Sequence, residues 1–553
     1  MPRPVRVVGV KVRFALGCAL LCTVACGSNE NDGVNGGQAG SAACAAGCAT
    51  SGSPGLPGGA SGASSSGGGA GHDPGTGEEA GASAMGEPGA GYGPKYFRFG
   101  DNPGYYGSGI DRRESAQMSV AAGASSLRTT LPEYYLQKWG ETIEVADYAA
   151  YQPLGLGHHV CFLIGPSHEH SNAPADASDA ELAHYSPKNL YEPIFDADGS
   201  VNPNNYWAAY VEKVAKNYGQ YLDMYEVWNE PDQVGSNWQA TETWEDAPPK
   251  AKDLIWWNDS IFSYIRMLRI THEVVHEFDP DASVTVGGIG YGSFLSALLR
   301  YTDNPDGGAV SAEYPHQAGQ YLDILSYHYY PVFGGGSSDA GVDGLLKARD
   351  DYRTRLAAAG AGERQFVVTE TGAPRYAVGG NVGGAEYAAS YLIKAMTLGH
   401  YEGLVGIDWF AQGDGAAVGA STDSFAYMGL YFDYSKATQV SDAKLSPQGQ
   451  AYAWLKGWLP NTAADSSALD KLELPEAVRG AAFLTDDARH LYVLWAHTAT
   501  DESATAQFSL PASGAAIVHT FSVENGEKVT MVEPSAGKIT LELGGTPTAI
   551  EVP

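Results

Sequence analysis

Basic side chains and cysteines are scarce in this chain of 553 residues. Its 33 lysines and arginines stand against 64 aspartates and glutamates, giving a formal net charge of −31, and no basic cluster follows residue 13. Because nucleic-acid-binding surfaces neutralise phosphates with lysine and arginine, this composition argues against a nucleic-acid partner. Only Cys161 of the six cysteines lies beyond residue 48, so the folded part has no disulfide framework.

Long hydrophobic runs are also missing. The apolar stretch from Phe14 to Ala25 has 12 residues, whereas a membrane-spanning helix needs about 20. Basic residues precede this stretch, which is the pattern of an export signal over residues 1–26. With Cys26 after Thr23-Val24-Ala25, the segment resembles a bacterial lipoprotein signal. That resemblance implies an exported protein held at the cell envelope or surface by a lipid on Cys26; ordinary secretion is the alternative.

Residues 27–93 are rich in glycine, serine and alanine. Glycine accounts for 22 of these 67 residues and aromatic residues are nearly absent, so the segment cannot bury enough apolar surface to order itself. It is predicted to be a disordered tether. Cys44 and Cys48 lie within it and either pair with each other or are ordinary tether residues, since a zinc site would need two further ligands nearby. We predict no metal site and no cofactor.

From residue 94 the chain alternates short apolar runs with longer amphipathic stretches, as strands alternate with helices. Eight runs are predicted to be strands: Lys95–Gly100, Ser125–Leu131, Gly157–Gly165, Leu222–Asn229, Ser283–Gly288, Leu322–His328, Gln365–Glu370 and Gly403–Phe410. Helical apolar faces separate them, as in Trp207, Tyr210, Val211, Val214 and Tyr218, and in Ile261, Ile265, Leu268, Val275 and Phe278. Eight strand-helix units in roughly 360 residues predict an α/β fold, a (β/α)₈ TIM barrel over residues 94–458.

The long helical faces stop after residue 458. Short alternating segments follow at 490–496, 517–523, 528–532 and 538–543, and Asn525-Gly526 supplies a hairpin turn. Residues 459–553 are therefore predicted to form an accessory antiparallel β-sandwich packed on or beside the barrel.

Carboxylates stand at the ends of two predicted strands. The fourth strand runs into Trp228-Asn229-Glu230-Pro231 and the seventh into Thr369-Glu370. In a TIM barrel the carboxyl ends of the strands meet at the mouth that carries the active site. Retaining cleavage of a glycosidic bond needs two carboxyl groups about 5 Å apart, so Glu230 and Glu370 are candidates for a catalytic pair.

The order of these motifs resembles the retaining glycoside hydrolases of clan A. The resemblance rests on Trp228-Asn229-Glu230-Pro231 at strand four, His328 and Tyr330 after strand six, Glu370 at strand seven and Trp409 on strand eight. The terminal sandwich is similar to the accessory domain of families near 39 and 30. The resemblance implies a glycosidase that acts on a polysaccharide or oligosaccharide by double displacement and needs no cofactor.

The resemblance also implies roles for individual residues. Glu230 would be the acid/base and Glu370 the nucleophile, Asn229 would bind the sugar 2-hydroxyl, and His328 would line the same site. Either Tyr330 or Tyr327 would donate a hydrogen bond to Glu370. Arg128, at the end of strand two, is placed either to keep Glu370 ionised or to form a salt bridge at the barrel rim. Trp409 would stack under the sugar, the alternative being a core tryptophan.

The sequence also suggests roles for a tryptophan and a third glutamate near strand four. Trp238, in the long loop after strand four, is a candidate platform for an extended glycan. Glu226 shares a strand face with Glu230 and is interpreted as structural, paired with a buried cation.

A group of histidines near strand three, with Glu169 among them, suggests a metal-dependent hydrolase as a weaker alternative; they are His158, His159, His168 and His170. A non-catalytic glycan-binding surface lipoprotein on the same scaffold is the other alternative.

Overall fold

The computed structural model describes residues 97–104, 106–235, 238–333 and 336–553. The predicted signal, including Cys26, and the predicted tether lie outside the described residues. Within the described part, no helix combines the length and the apolar character needed to cross a bilayer.

Eight parallel strands form the main sheet. They are β1 (Arg98–Asp101), β2 (Ser126–Thr130), β3 (His159–Leu163), β4 (Leu222–Val227), β5 (Ser283–Val286), β6 (Ile324–Tyr329), β7 (Gln365–Thr371) and β8 (Gly406–Trp409). Each overlaps the strand predicted at its place in the sequence. Pairing runs in order from β5 to β1 and on through β8 and β7 to β6. Asp323 N donates to Val284 O at 3.0 Å and His328 N to Ile289 O at 3.2 Å, so β5 and β6 nearly close the barrel.

Helices follow the strands and cover the outside of the barrel. They are α1 (Arg112–Ala122), α2 (Glu133–Trp139), α3 (Val145–Tyr151), α4 (Tyr206–Tyr218), α5 (Ile261–Phe278), α6 (Gly292–Arg300), α7 (Ser338–Ala358), α8 (Ala385–Tyr401) and α9 (Pro447–Leu455). Asn205 and Ser260 cap α4 and α5 by accepting hydrogen bonds from first-turn amides. The predicted apolar face of α4 is buried, as is that of α5 except for the partly buried Phe278. The (β/α)₈ prediction is confirmed.

The barrel interior changes from apolar to polar along the strands. Near the strand starts, five side chains pack together: Val160, Met224, Ile324, Val367 and Val405. Further along, the inward positions carry Arg128, Glu226 and Thr369, all buried. A buried charge needs a partner, so these polar residues must satisfy one another, and they form the floor of the barrel mouth.

The C-terminal part consists of two antiparallel sheets. Its elements are β9 (Thr462–Ala464), α10 (Ser466–Asp470), β10 (Val478–Thr485), β11 (His490–Ala496), β12 (Thr505–Pro511), β13 (Ala516–Ser522), β14 (Gly526–Val532), β15 (Lys538–Gly544) and β16 (Thr548–Val552). A six-stranded sheet, in the order β14-β13-β16-β11-β10-β9, faces the pair β12-β15, and Leu494, Ile550, Leu510 and Leu541 share the core between them. The predicted sandwich is present, and β13 and β14 form the predicted hairpin.

A buried polar network joins the sandwich to the barrel. Asp339, in the first turn of α7, accepts hydrogen bonds from Thr498 N at 2.7 Å and from Trp495 Nε1 at 2.9 Å. The Lys394 ammonium of α8 lies 3.1 Å from the same carboxylate. Phe483 of the sandwich also stacks on His400 of α8, with ring centroids 5.1 Å apart. Burial makes these contacts expensive to break, so the two parts share one interior.

Candidate active site

Most of the predicted site residues meet at the carboxyl ends of the barrel strands. Arg128 lies in β2, His328 in β6 and Glu370 in β7, while Asn229 and Glu230 follow β4. One ligand atom each from Glu230, His328 and Glu370 lies within 4.8 Å of the others. The structure therefore places both predicted catalytic carboxylates in one site.

The chain turns sharply where β4 delivers Glu230. Trp228 and Glu230 both have positive φ angles, 73° and 45°, a conformation that non-glycine residues rarely adopt. Trp228 is fully buried, and its indole N–H donates to the Trp256 carbonyl at 2.7 Å. The Glu230 amide donates to the Gly287 carbonyl at 2.6 Å. These contacts hold an unfavourable backbone in place, as is common at functional sites.

The surroundings of Glu370 favour its ionised form. Arg128 Nη1 donates to its Oε1 at 2.6 Å, and the Tyr330 hydroxyl donates to its Oε2 at 2.6 Å. Burial alone would raise the pKa of Glu370, but the charges of His328 and Arg128 and these hydrogen bonds together lower it below its ordinary value. A buried carboxylate that stays charged is suited to act as a nucleophile.

His328 connects the two glutamates. Its Nδ1 lies 2.7 Å from Glu230 Oε1 and 3.7 Å from Glu370 Oε2. Burial alone would lower the pKa of His328, but the charge of Glu370 and the hydrogen bond to Glu230 raise it. The ring fits against Gly288, where a Cβ would lie 2.0 Å from His328 Nε2. A glycine at position 288 is therefore required for this placement.

Arg128 is the central cation of the site. Besides Glu370, its guanidinium donates to Glu226 Oε2 at 2.6 Å and to Asn229 Oδ1 at 2.7 Å. It also lies over the Phe162 ring at 4.4 Å. Arg128 is 3% exposed, so it lies inside the barrel. The alternative role, a salt bridge at the barrel rim, is therefore wrong.

Glu226 lies beneath the candidate catalytic residues. It is fully buried, and its Oε1 accepts hydrogen bonds from Ser326 Oγ at 2.9 Å and Thr369 Oγ1 at 2.7 Å. Its other oxygen binds Arg128. The structure thus supplies the buried cation that the sequence analysis expected for this residue.

The tyrosine register that the sequence left open is fixed by the structure. Tyr330 contacts Glu370, whereas Tyr327 is buried and its hydroxyl donates to the Leu345 carbonyl at 3.1 Å. The pairing of β6 with β7 shifts between Tyr327 and His328. At such an irregularity the regular alternation of inward and outward side chains is interrupted.

Trp409 requires a correction. It was expected to stack under a sugar, but it is fully buried and its indole N–H donates to the Met428 carbonyl at 2.8 Å. It is the core tryptophan of the alternative interpretation. Phe410, the next residue, is only partly buried and lies edge-on to Tyr330 at 6.1 Å. Phe425 also packs against Tyr330, at 4.7 Å; neither phenylalanine was identified from the sequence.

Trp238 is 43% exposed and begins a 3₁₀-helical stretch, Trp238–Glu245. Two other tryptophans of this region, Trp244 and Trp257, are buried in the core. Part of the Trp238 side chain is therefore open to solvent, and its role as a glycan platform stays a prediction.

The histidines near β3 do not gather into one site. His158 pairs with Asp223 at 2.6 Å, His168 with Asp179 at 3.0 Å, and His170 with Glu133. His159 is buried and accepts a hydrogen bond from Leu127 N. Among the described residues, none of these histidines belongs to a group arranged to hold a metal.

Glu230, His328 and Glu370 themselves have the spacing of metal ligands. The two oxygens of Glu370 are, however, engaged by Arg128 and Tyr330. The arginine cation beside them disfavours a second positive charge. The site is suited to proton transfer and nucleophilic attack by carboxyl groups.

The fold of most of this chain is similar to that of several solved glycoside hydrolases. A family 39 glycoside hydrolase from Bacteroides cellulosilyticus matches with a TM-score of 0.50 and 16% identity over 80% of this chain and 78% of that one. The catalytic domain of family 30 xylanase C from Talaromyces cellulolyticus matches with a TM-score of 0.49 and 12% identity over 82% of this chain and 96% of that one. A family 51 arabinofuranosidase from Xanthomonas axonopodis pv. citri matches with a TM-score of 0.46 and 14% identity over 85% of this chain and 98% of that one. No protein-family model and no curated protein sequence matches the chain, so what is shared is the fold.

Proposed function

We propose that this protein is a retaining glycoside hydrolase that cleaves O-glycosidic bonds in a polysaccharide or oligosaccharide. The observation that carries the proposal is the pair Glu230 and Glu370 at the barrel mouth, where one carboxylate oxygen of each residue lies within 4.8 Å of one oxygen of the other. Retaining glycosidases separate their two carboxyl groups by about 5–5.5 Å, whereas inverting enzymes need about 6.5–9.5 Å to admit a water. The clan A fold is consistent with this chemistry.

The reaction would proceed in two displacements. Glu370 attacks the anomeric carbon while protonated Glu230 gives its proton to the leaving oxygen, so the glycosidic bond breaks and a glycosyl-enzyme ester forms. Glu230 then takes a proton from water, the hydroxide attacks the anomeric carbon, and Glu370 leaves as a carboxylate. The short hydrogen bond between His328 Nδ1 and Glu230 Oε1 would orient Glu230 for both transfers.

Asn229 would contact the sugar 2-hydroxyl through its amide N–H₂ group. Its Oδ1 already accepts a hydrogen bond from Arg128, so the N–H₂ group is the part of the side chain left to donate. Such a contact strengthens as positive charge develops at the sugar ring. Arg128 thereby fixes both the nucleophile and the 2-hydroxyl contact.

We further propose that the protein acts outside the cytoplasm, attached through a lipid on Cys26. The basic, apolar and small-residue sequence of positions 1–26 supports export. The glycine-rich segment that follows is long enough to hold a catalytic domain away from the membrane surface. A polymeric carbohydrate substrate, which cannot enter a cell intact, fits this location.

The first experiment is the release of reducing sugar by the full chain from a panel of plant, algal and bacterial glycans, with Glu370→Gln in parallel. Hydrolysis that disappears in the variant supports the proposal. Undiminished release by Glu370→Gln would contradict the site assignment. Glycan binding without release of sugar would favour the non-catalytic binding protein, and loss of activity with a chelator that leaves the Tm unchanged would favour a metal-dependent hydrolase.

Tyr330→Phe is expected to move the acid limb of the kcat/KM profile to higher pH. The Tyr330 hydroxyl helps to lower the pKa of Glu370, so its removal raises that pKa and a higher pH is needed to ionise the nucleophile. A hydrogen bond to a charged group contributes about 1.5–3 kcal/mol, which corresponds to roughly a 10- to 100-fold fall in kcat/KM. Tyr327→Phe is the matched control and should leave the acid limb in place. Equal shifts in both variants would contradict the assignment.

Trp238→Ala is expected to weaken binding of long oligosaccharides more than short ones, because an exposed ring in a loop reaches only the distant sugars of a chain. Isothermal titration with an oligosaccharide series measures the difference. Trp139→Ala is the control, since Trp139 is also 43% exposed but lies on α2. An equal loss for long and short ligands would rule out a remote subsite at Trp238.

A further inference from the structure

A second group of potential ligands lies away from the candidate active site. His272 and His276 are one turn apart on α5, and Asp323 immediately precedes β6. One ligand atom from each residue lies within 4.8 Å of the other two. The proposed hydrolytic reaction uses none of these residues.

This group stands at the opposite end of the barrel from the two catalytic glutamates. Asp323 comes before the first residue of β6, whereas His328 lies close to the end of that strand. At about 3.3 Å per residue, the five-residue step along β6 separates them by about 16 Å. A ligand bound here would not touch a sugar held by Glu230 and Glu370.

The distances within the group match those of a metal's ligands. His272 Nε2 lies 3.6 Å from Asp323 Oδ1, and His276 Nε2 lies 3.0 Å from Asp323 Oδ2. Zinc binds imidazole nitrogen and carboxylate oxygen at about 2.0–2.2 Å with tetrahedral geometry, which puts neighbouring ligand atoms about 3.4 Å apart. Small side-chain rotations would bring all three atoms to that spacing.

The surrounding contacts orient the ligands in the manner of a metal site. Asp323 Oδ2 accepts a hydrogen bond from Val284 N at 2.8 Å, and the same oxygen lies 3.0 Å from His276 Nε2. Metal-binding imidazoles and carboxylates are usually fixed by outer hydrogen bonds of this kind. The side chains are 27–31% exposed, which leaves room for water as a remaining ligand.

The sequence carries the same signal. His272-Glu273-Val274-Val275-His276 has the spacing H-E-x-x-H, which places two histidines on one face of a helix for zinc binding. Glu273 Oε1, however, accepts a hydrogen bond from Arg269 Nε at 2.7 Å, so its carboxylate is engaged rather than free to activate a metal-bound water. This arrangement favours metal binding without hydrolysis.

We propose that His272, His276 and Asp323 bind a divalent transition-metal ion of the zinc class, with water completing the coordination. Two imidazoles and one carboxylate suit zinc better than the all-oxygen sites of magnesium or calcium. The ion would clamp α5 to the start of β6. The proposal does not depend on the glycosidase function.

The test uses the full chain, stripped of metal with a chelator and dialysed against Zn²⁺ or Mg²⁺. Elemental analysis should find about one zinc ion per chain, and zinc but not magnesium should raise the Tm, because an ion that binds only the native state stabilises it. The variant His272→Gln/His276→Gln should lose both effects. His158→Gln/His168→Gln, which alters two histidines paired with aspartates elsewhere, should retain both.

X-ray absorption of the zinc-loaded native chain gives a second measurement that needs no variant. The expected shell contains two imidazole nitrogens and oxygen ligands. A thiolate shell, an absence of bound zinc, or equal zinc in the double histidine variant would overturn the proposal. In those cases the three residues form only an ion-pair cluster.

Discussion

Glu230→Ala is expected to lose about 10²–10⁴-fold of kcat on a natural glycan, the usual contribution of general acid-base catalysis. The same variant should still form the glycosyl-enzyme from an aryl glycoside with a strongly acidic phenol, because such a leaving group departs without a proton. Hydrolysis of the ester then becomes slow, since no base activates the water. A burst of phenol followed by a low steady rate is the expected trace.

Glu370→Ala should behave differently. Without the nucleophile no ester forms, so no burst appears even with a good leaving group. Added azide should rescue both variants, with different stereochemistry. In Glu230→Ala it attacks the glycosyl-enzyme in the second displacement, so the product retains the configuration of the substrate. In Glu370→Ala it attacks the substrate directly in a single displacement, so the configuration is inverted. Glu242→Ala, an exposed glutamate in the loop after β4, is the control. Rescue with the same stereochemistry in both variants would contradict the assigned roles.

The barrel and the position of the proposed catalytic pair were predictable because they depend on local and repeating signals. Buried parallel strands are short apolar runs, and the helices between them show one apolar face. Once eight such units close into a barrel, the carboxyl ends of β4 and β7 share one mouth whatever their separation in sequence. Glu230 and Glu370 could therefore be selected without coordinates.

The positions that sequence analysis misjudged lie where the strands are irregular. The register of β6 on β7 shifts between Tyr327 and His328, and that of β7 on β8 shifts between Val368 and Thr371. A shift of one residue exchanges the inward and outward side chains. It left the two tyrosines undecided. Trp409 was selected from the resemblance, and the structure places Phe410, not Trp409, beside Tyr330.

Contacts between residues that are far apart in the sequence set a second limit on what could be predicted. His272 and His276 are spaced for metal binding within one helix, but Asp323 joins them only because α5 packs beside the start of β6. In the same way, nothing local to Arg128 indicates that it binds Glu226, Asn229 and Glu370 at once. Such partners become visible only when the barrel is closed.

Arg128→Met is expected to lower the free energy of unfolding by about 3–5 kcal/mol, the usual effect of removing one partner from a buried ion pair. The substitution leaves Glu226 and Glu370 buried without the cation that both of them contact. Thermal or urea unfolding at neutral pH measures the loss. Hydrolysis should be lost as well, because the nucleophile and Asn229 are both released.

The effect of Arg128→Met should depend on pH in a defined direction. In the native protein the pKa of Glu370 lies below its ordinary value of 4.5, so its ionised form stabilises the fold above that pH and this contribution is lost as the pH falls. Without Arg128 the pKa of Glu370 rises, and protonation relieves the buried charge at moderately acidic pH. The stability gap between native protein and variant should therefore narrow as the pH falls from 7 toward about 4.

A double variant separates the two roles of Arg128. Arg128→Met/Glu226→Gln removes one of the two unpaired carboxylates and should recover much of the lost stability without restoring hydrolysis. Arg266→Met is the control, because Arg266 is similarly buried and pairs with Asp303 outside the site. It should destabilise the fold while leaving the acid limb of kcat/KM unchanged. An Arg128→Met protein that hydrolyses glycans with a native acid limb would show that the guanidinium does not set the charge of Glu370.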